Sequence, residues 1–163
     1  MIAVGEKAPS IVATAVGSKR PFRLRDYAGT PILLSFVDYK TQTVVRDLNR
    51  TLRGRYPEHT DVTAVTLIEA HKIPRLMRGM VRGIMDSAYR EAAKEVPAER
   101  DPADYLILLP DWTNEIFEAY RIPDVGQYAA VVLIDGEGRI AASYHGPETV
   151  AQAMTRVSAL LAA

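Results

Sequence analysis

The sequence predicts an α/β protein built on a central mixed β-sheet flanked by helices, in a single domain over residues 1–163. Three observations carry that prediction. First, "PILLSFVD" (31–38) and "DVTAVTLI" (61–68) are near-continuous apolar runs of strand length, the pattern of strands buried on both faces. Second, from Thr43 onward Val44, Val45, Leu48 and Leu52 recur at helical spacing, with Arg46, Asp47, Arg50 and Arg53 elsewhere, so a core-facing helix joins the two strands. Third, "YAAVVLID" and "RIAASYHG" flank the turn "GEG", a hairpin in which Gly136 and Gly138 supply the turn chemistry.

The remaining elements follow in chain order. Residues 2–30 are short alternating pieces broken by Gly5, Pro9, Gly17 and Gly29, which predicts short strands and turns. Within them "FRLRDYAG" places Phe22 and Leu24 before Tyr27, an edge piece followed by a turn. Tyr56-Pro57 closes the first helix, because proline cannot continue it. A long inserted helix is predicted at about residues 73–95, followed by an exposed loop, "KEVPAERDPAD". "YLILL" (105–109) reads as a strand and "TNEIFEAYRI" as a short helix. From Glu148 a closing helix keeps Val150, Met154, Val157 and Leu161 on its apolar side. Strands and helices that alternate and then give way to a hairpin make the sheet mixed.

Composition narrows the function. The chain is long enough to bury a real core, and 48% hydrophobic with 25% charged residues is an ordinary globular balance. Basic and acidic residues number 20 each, so the basic excess that a nucleic-acid partner demands is missing. There is no cysteine, which removes disulfides, thiolate nucleophiles, Cys-ligated zinc and iron–sulfur clusters. No stretch has the length and apolarity of a transmembrane helix. "MIAVGEKAPS" lacks the basic flank and apolar run of a secretory leader, so the sequence as given predicts a cytoplasmic chain. An exported chain whose leader has been trimmed is the alternative.

Four stretches together resemble the thioredoxin-like superfamily, in its peroxiredoxin and TlpA/ResA-like (redoxin) branch. "VGEKAPSIVATAVGSKRPFRLRDYAGTPILLSF" is similar to that family's amino-terminal lead-in, and "LPDWTNEIFEAYRI" to its segment of an aspartate followed by a helix. "VVLIDGEGRIAASYHG" is similar to its hairpin, and the closing helix falls where the family has one. Only residues 70–100 lie outside the likeness. The resemblance implies a thioredoxin-like fold with thiol chemistry at the amino end of the first long helix, where the helix dipole and free N–H groups lower a cysteine's pKa. The TlpA-like cysteine pair matches Thr41 and Val44, the Sco-like second cysteine matches Val45, and the peroxidatic cysteine of peroxiredoxins also matches Val45, with its threonine partner at Gln42. The family's cis-proline matches Ala129, after Tyr128, where an ordinary trans peptide is expected. Both chemical signatures are replaced together.

Other candidates have plainer readings. Thr41 or Thr43 would be a nucleophile only with an oriented base such as Lys40 beside it; a threonine there serves as the helix N-cap. The same helix end, with Lys40, Thr41 and Thr43, would also suit a small anion. His59, His71 and His145 include no pair at helical ligand spacing, although His71 and His145 could meet near one end of the sheet; neither a metal nor another cofactor is expected. Asp38 ends its strand and pairs with Lys40 or a backbone amide, and Trp112 is a packing residue.

The segment "KIPRLMRGMVRGIMDSAYREAAKEV" carries an apolar stripe of Ile73, Leu76, Met77, Met80, Val81, Ile84, Met85, Ala88 and Ala92, with Arg75, Arg78 and Arg82 on the other side. Gly79 and Gly83 each cost about 1 kcal/mol against alanine, which suggests close packing or a bend. The stripe predicts a helix lying on the sheet; its second reading is a face for a protein partner or a homodimer, centred on Arg75, Met77, Arg78, Met80 and Arg82. The whole points to a redox-inactive binding module, with Tyr39, Lys40, Thr41, Gln42, Thr43, Tyr128 and Ala129 as a ligand or peptide surface. The alternatives are a thiol-disulfide oxidoreductase or peroxiredoxin-like enzyme whose natural cysteines have been replaced, catalysis relocated to non-thiol groups, and a subunit packed into a larger assembly.

Overall fold

The computed structural model describes residues 1–163. Two short strands, β1 (Val12–Thr14) and β2 (Pro21–Arg23), pair antiparallel ahead of the main sheet, and a 3-10 turn at Leu24–Tyr27 leads into it. The first apolar run becomes β3 (Ile32–Val37), buried at every position. α1 (Gln42–Arg55) then carries the chain to β4 (Thr63–Glu69), parallel to β3. A 3-10 turn at Arg75–Met77 opens α2 (Arg78–Ala93), and the single turn α3 (Pro102–Tyr105) precedes β5 (Ile107–Asp111), parallel to β4. After α4 (Glu115–Ala119), β6 (Ala130–Ile134) and β7 (Ile140–His145) form the hairpin, and α5 (Thr149–Ala162) closes the chain. β6 pairs antiparallel with β3, which gives a mixed sheet in the order β5-β4-β3-β6-β7.

The sheet is covered on both faces, as its continuous apolar strands require. Leu33, Val131 and Leu133 pack with Leu48 and Leu52 of α1 and with Ala153, Met154 and Val157 of α5. On the opposite face Ile32, Leu34 and Phe36 meet Ile2, Ile11 and Phe22 of the amino-terminal segment, together with Phe117 of α4. Phe36 stands edge-on to Phe117 at 5.2 Å, a favoured aromatic geometry. The lead-in is thus a structural layer, tied down by backbone bonds such as Gly5 N–H to the Ile140 carbonyl at 2.8 Å.

Tyr120, just past α4, is fully buried and donates its hydroxyl to the Pro9 carbonyl at 2.7 Å. Burial pushes its phenol well above the ordinary value of 10.0. The folded chain therefore keeps this proton after the unfolded chain has lost it. Stability is full below pH 10.0 and falls as pH rises beyond it. Denaturant melts across that range should show the loss, and Tyr120→Phe should flatten it while costing about 1 kcal/mol at neutral pH through the missing hydrogen bond.

Three sequence expectations change here. Val44 is 37% exposed, so the core contacts of α1 come from Val45, Leu48 and Leu52 alone. Residues 102–105 form a helical turn capped by Asp101, whose carboxylate accepts the Ala103 N–H, where an open loop was expected. The inserted helix does not lie on the sheet with its apolar stripe inward, since none of its residues is fully buried. Its stripe is too wide for one contact. Val81, Met85 and Tyr89 are half-buried on the inner side, while Leu76, Met80 and Ile84 face outward.

Candidate functional site

The carboxyl ends of the parallel strands gather the chain's polar chemistry, because β3, β4 and β5 each end on or just before an acid: Asp38, Glu69 and Asp111. Asp111 is buried and organises α4. One of its oxygens accepts the N–H groups of Ile116 and Phe117 at 2.9 and 3.0 Å, and the other accepts that of Thr113 at 3.3 Å. It satisfies the free donors of a helix start from outside the helix. Asp38 does similar work at the β3–α1 joint, where Oδ1 accepts the N–H groups of Lys40 and Thr41 at 2.7 and 3.0 Å. Pairing with a backbone amide is what its position predicts.

Thr41 occupies the N-cap position of α1 but does not cap it with its side chain. This corrects the sequence expectation. The buried hydroxyl turns sideways, donates to the Val125 carbonyl at 3.0 Å and accepts the Asp38 N–H at 3.1 Å. It staples the joint to the segment leading into β6; the Asp38 carboxylate also lies 3.2 Å from the hydroxyl, but that oxygen is already held by the N–H groups of Lys40 and Thr41. Thr43 is exposed. Of the other positions that match the family's cysteines, Val45 is core and Val44 is a surface valine.

Around the joint the site is a shallow polar cleft of about 500 Å³, whose lining includes Lys40, Asp124, Gly126, Gln127, Tyr128 and His145. Tyr128 stands edge-on to His145 at 6.2 Å, and its hydroxyl accepts from the Gln127 amide at 3.2 Å. His145 Nε2 lies 3.1 Å from the Asp124 carbonyl, so that nitrogen carries the proton. Gly126 is squeezed between two acids. A Cβ there would lie 3.0 Å from Asp124 Oδ1 and 3.7 Å from Asp38 Oδ2. Lys40 lines the cleft with Asp124, and Lys72 nearby is bonded to Glu69 at 3.0 Å. Its pKa is raised chiefly by that bond, with the charges of Asp124 and Asp38 adding to it. A second open cleft, of about 490 Å³, adjoins the first through Pro123 and Asp124 and is lined by Glu69, His71 and Arg121 among others.

Of the residues expected to form a ligand surface, Lys40 and Tyr128 line the first cleft, and Tyr39, Gln42 and Thr43 are exposed beside it. Tyr39 is 74% exposed with the Lys40 ammonium 5.6 Å from its ring centre, while its carbonyl accepts from the Gln42 amide at 3.0 Å. Thr41 and Ala129 are buried underneath. The peptide before Ala129 is trans, like every other in the chain. His71 and His145 lie at this end, in adjacent clefts, and no three His, Asp or Glu side chains converge as metal ligands would. Asp124, Gly126 and His145 were not expected as members of this site, because strand pairing alone brings His145 beside the joint: it pairs with Ala130, which pairs with Phe36.

On α2, Arg78 and Arg82 are not free. Their guanidinium groups lie 5.3 and 4.8 Å from the Trp112 ring centre, and Arg78 also donates to the Ile73 and Trp112 carbonyls at 3.3 Å. Trp112 is the packing residue between α2 and the start of α4.

The sheet order, the two covered faces and the strand-to-helix joint define a thioredoxin-like fold without cysteine. Solved structures agree. A putative thiol:disulfide interchange protein DsbE from Chlorobium tepidum superposes with a TM-score of 0.68 at 16% identity, covering 99% of each chain. The exposed lipoprotein thioredoxin Etrx1 of Streptococcus pneumoniae gives 0.66 at 16% identity over 93% of this chain and 100% of its own. A putative protein disulfide isomerase from Bacteroides thetaiotaomicron gives 0.67 at 17% identity over 100% and 92%. No protein-family model matches the chain, and no curated protein matches it in sequence.

Proposed function

We propose that the protein is a redox-inactive thioredoxin-fold binding module that takes a peptide or small polar ligand in the cleft around Lys40, Tyr128 and His145. The observation that carries this reading is the state of Thr41: buried and tied to the Val125 carbonyl, the Asp38 N–H and the Asp38 carboxylate, it holds the joint closed where a nucleophile would have to be exposed. The cleft beside it keeps groups suited to recognition. Lys40 makes no ion pair within the chain, and Tyr128 offers a ring and a hydroxyl. Tyr39, Gln42 and Thr43 are exposed beside Lys40 and would extend the surface, with Thr41 and Ala129 buried in support.

The purified protein should show no turnover above buffer in reduction of insulin disulfides or of hydrogen peroxide. Partners captured from a cell extract should bind roughly tenfold more weakly to Lys40→Glu and Tyr128→Ala, a loss of about 1.4 kcal/mol. Thiol-dependent turnover, or capture indifferent to both changes, would sink the proposal.

A further inference from the structure

We infer that the outward face of α2 is a homodimer interface, in which two copies pack antiparallel about a two-fold axis through Met80. The inner side of α2 is anchored to its own chain: Asp86 accepts the Gly17 N–H at 2.9 Å, Tyr89 packs on Gly17, and Arg78 and Arg82 clasp Trp112. The outer side has nothing over it. Leu76 is 99% exposed, Met77 45%, Met80 59% and Ile84 60%, and the four-residue steps from 76 to 80 to 84 align them in one stripe.

Three observations select a second copy as the occupant. The first is area. The four side chains expose roughly 500 Å² of contiguous apolar surface, at the upper end of what a soluble monomer leaves open. Two copies pairing this stripe would bury roughly 1,000 Å², about the threshold of a specific interface. The second is the glycines. Nothing lies within 4 Å of a Cβ placed on Gly79 or Gly83, so no contact within the chain requires them. They flank the stripe one turn apart, where a second helix backbone could approach closely. The third is charge. A lipid surface favours an apolar stripe rimmed by several cations, but here Arg78 and Arg82 are drawn to Trp112 on the inner side, which leaves Arg75 as the one free arginine at the start of the stripe.

The direction of pairing follows from where the stripe stops. Past Ile84 the outward positions turn polar, with Ser87, Arg90, Glu91 and Lys94. Parallel pairing would run those charges against their own copies. Antiparallel pairing about Met80 sets Leu76 against the partner's Ile84 and carries the polar halves clear of each other.

Sedimentation equilibrium at concentrations up to about 1 mM, where even a weak pair is populated, should give twice the 18.0 kDa chain mass. Met80→Glu, at an exposed position, should give the monomer with unchanged circular dichroism. Gly83→Leu should weaken the pair at least tenfold. Because the chain has no cysteine, single cysteines report the geometry directly. Met80→Cys should oxidise to a covalent dimer. Leu76→Cys should not, because its copy lies eight residues along the partner helix, roughly 12 Å away. A monomer at all concentrations, a dimer indifferent to Met80→Glu, or equal cross-linking at both cysteines would overturn the inference. So would a monomer that co-sediments with vesicles of phosphatidylglycerol, which would assign the face to lipid.

Discussion

Asp111→Ala is expected to lower the stability of the fold by about 3 kcal/mol, a fall in Tm of roughly 10 °C for a chain of this size. The carboxylate is buried, and its removal strands the N–H groups of Ile116 and Phe117, with that of Thr113 a weaker third. Each buried donor left without a partner costs about 1–3 kcal/mol, and water entering the gap recovers part of that. The damage reaches beyond α4. Phe117 stands against Phe36 in the middle of β3 and also lines the second cleft, so loosening the α4 start opens the core and reshapes the cleft together. Asp111→Asn keeps an acceptor but replaces the charged oxygens at a helix start, and should lose about half as much. Thermal melts of both variants decide the point. If alanine and asparagine were equally harmless, Asp111 would not be the organiser of α4.

That residue also marks where the sequence stops being legible. The strands could be read because each is apolar along its length, and a run such as "PILLSF" has one stable place, at the centre of a covered sheet. The hairpin could be read because Gly138, at φ +77, takes a left-handed turn that favours glycine. The site was half legible. Lys40 and Tyr39 follow from the joint's own sequence and Tyr128 from the family resemblance, but the rest of the opposing wall comes from Pro123, Asp124, Gly126, Gln127 and His145, and no local pattern announces a contact made by strand pairing. Thr41 misled for a physical reason. A threonine at a helix start ordinarily caps it, and only the Val125 carbonyl, 84 positions along the chain, turns its hydroxyl away. The apolar stripe of the inserted helix misled in the opposite direction. Periodicity reports that a face is apolar but not what covers it.

Gly17→Ala is expected to detach α2 from the body of the protein. Gly17 sits at φ +78, which costs an L-residue about 1–2 kcal/mol, and a Cβ there would fall 2.1 Å from Tyr89 Cγ, at the root of the ring. The ring cannot yield at that atom without moving the helix. Moving the helix breaks the 2.9 Å bond from Gly17 N–H to Asp86 and lifts Tyr89 off its seat. The sheet has no need to unfold to relieve the clash, because no residue of α2 is fully buried and none of the three core clusters contains its side chains. The total loss is therefore capped by the docking energy of α2, about 2–3 kcal/mol for a few half-buried side chains and one hydrogen bond. Amide exchange should show it: protection lost across residues 78–93 and retained in β3, β4 and β6. Tyr89→Ala removes the atom that is struck, so in that background Gly17→Ala should cost only the backbone strain, and the two changes should couple by at least about 1 kcal/mol. If exchange instead accelerates uniformly through the sheet, α2 is part of the cooperative core. A detached α2 could not hold its apolar stripe in register for a partner, so Gly17→Ala should also shift the sedimentation mass toward the monomer although it lies on the opposite side of the helix.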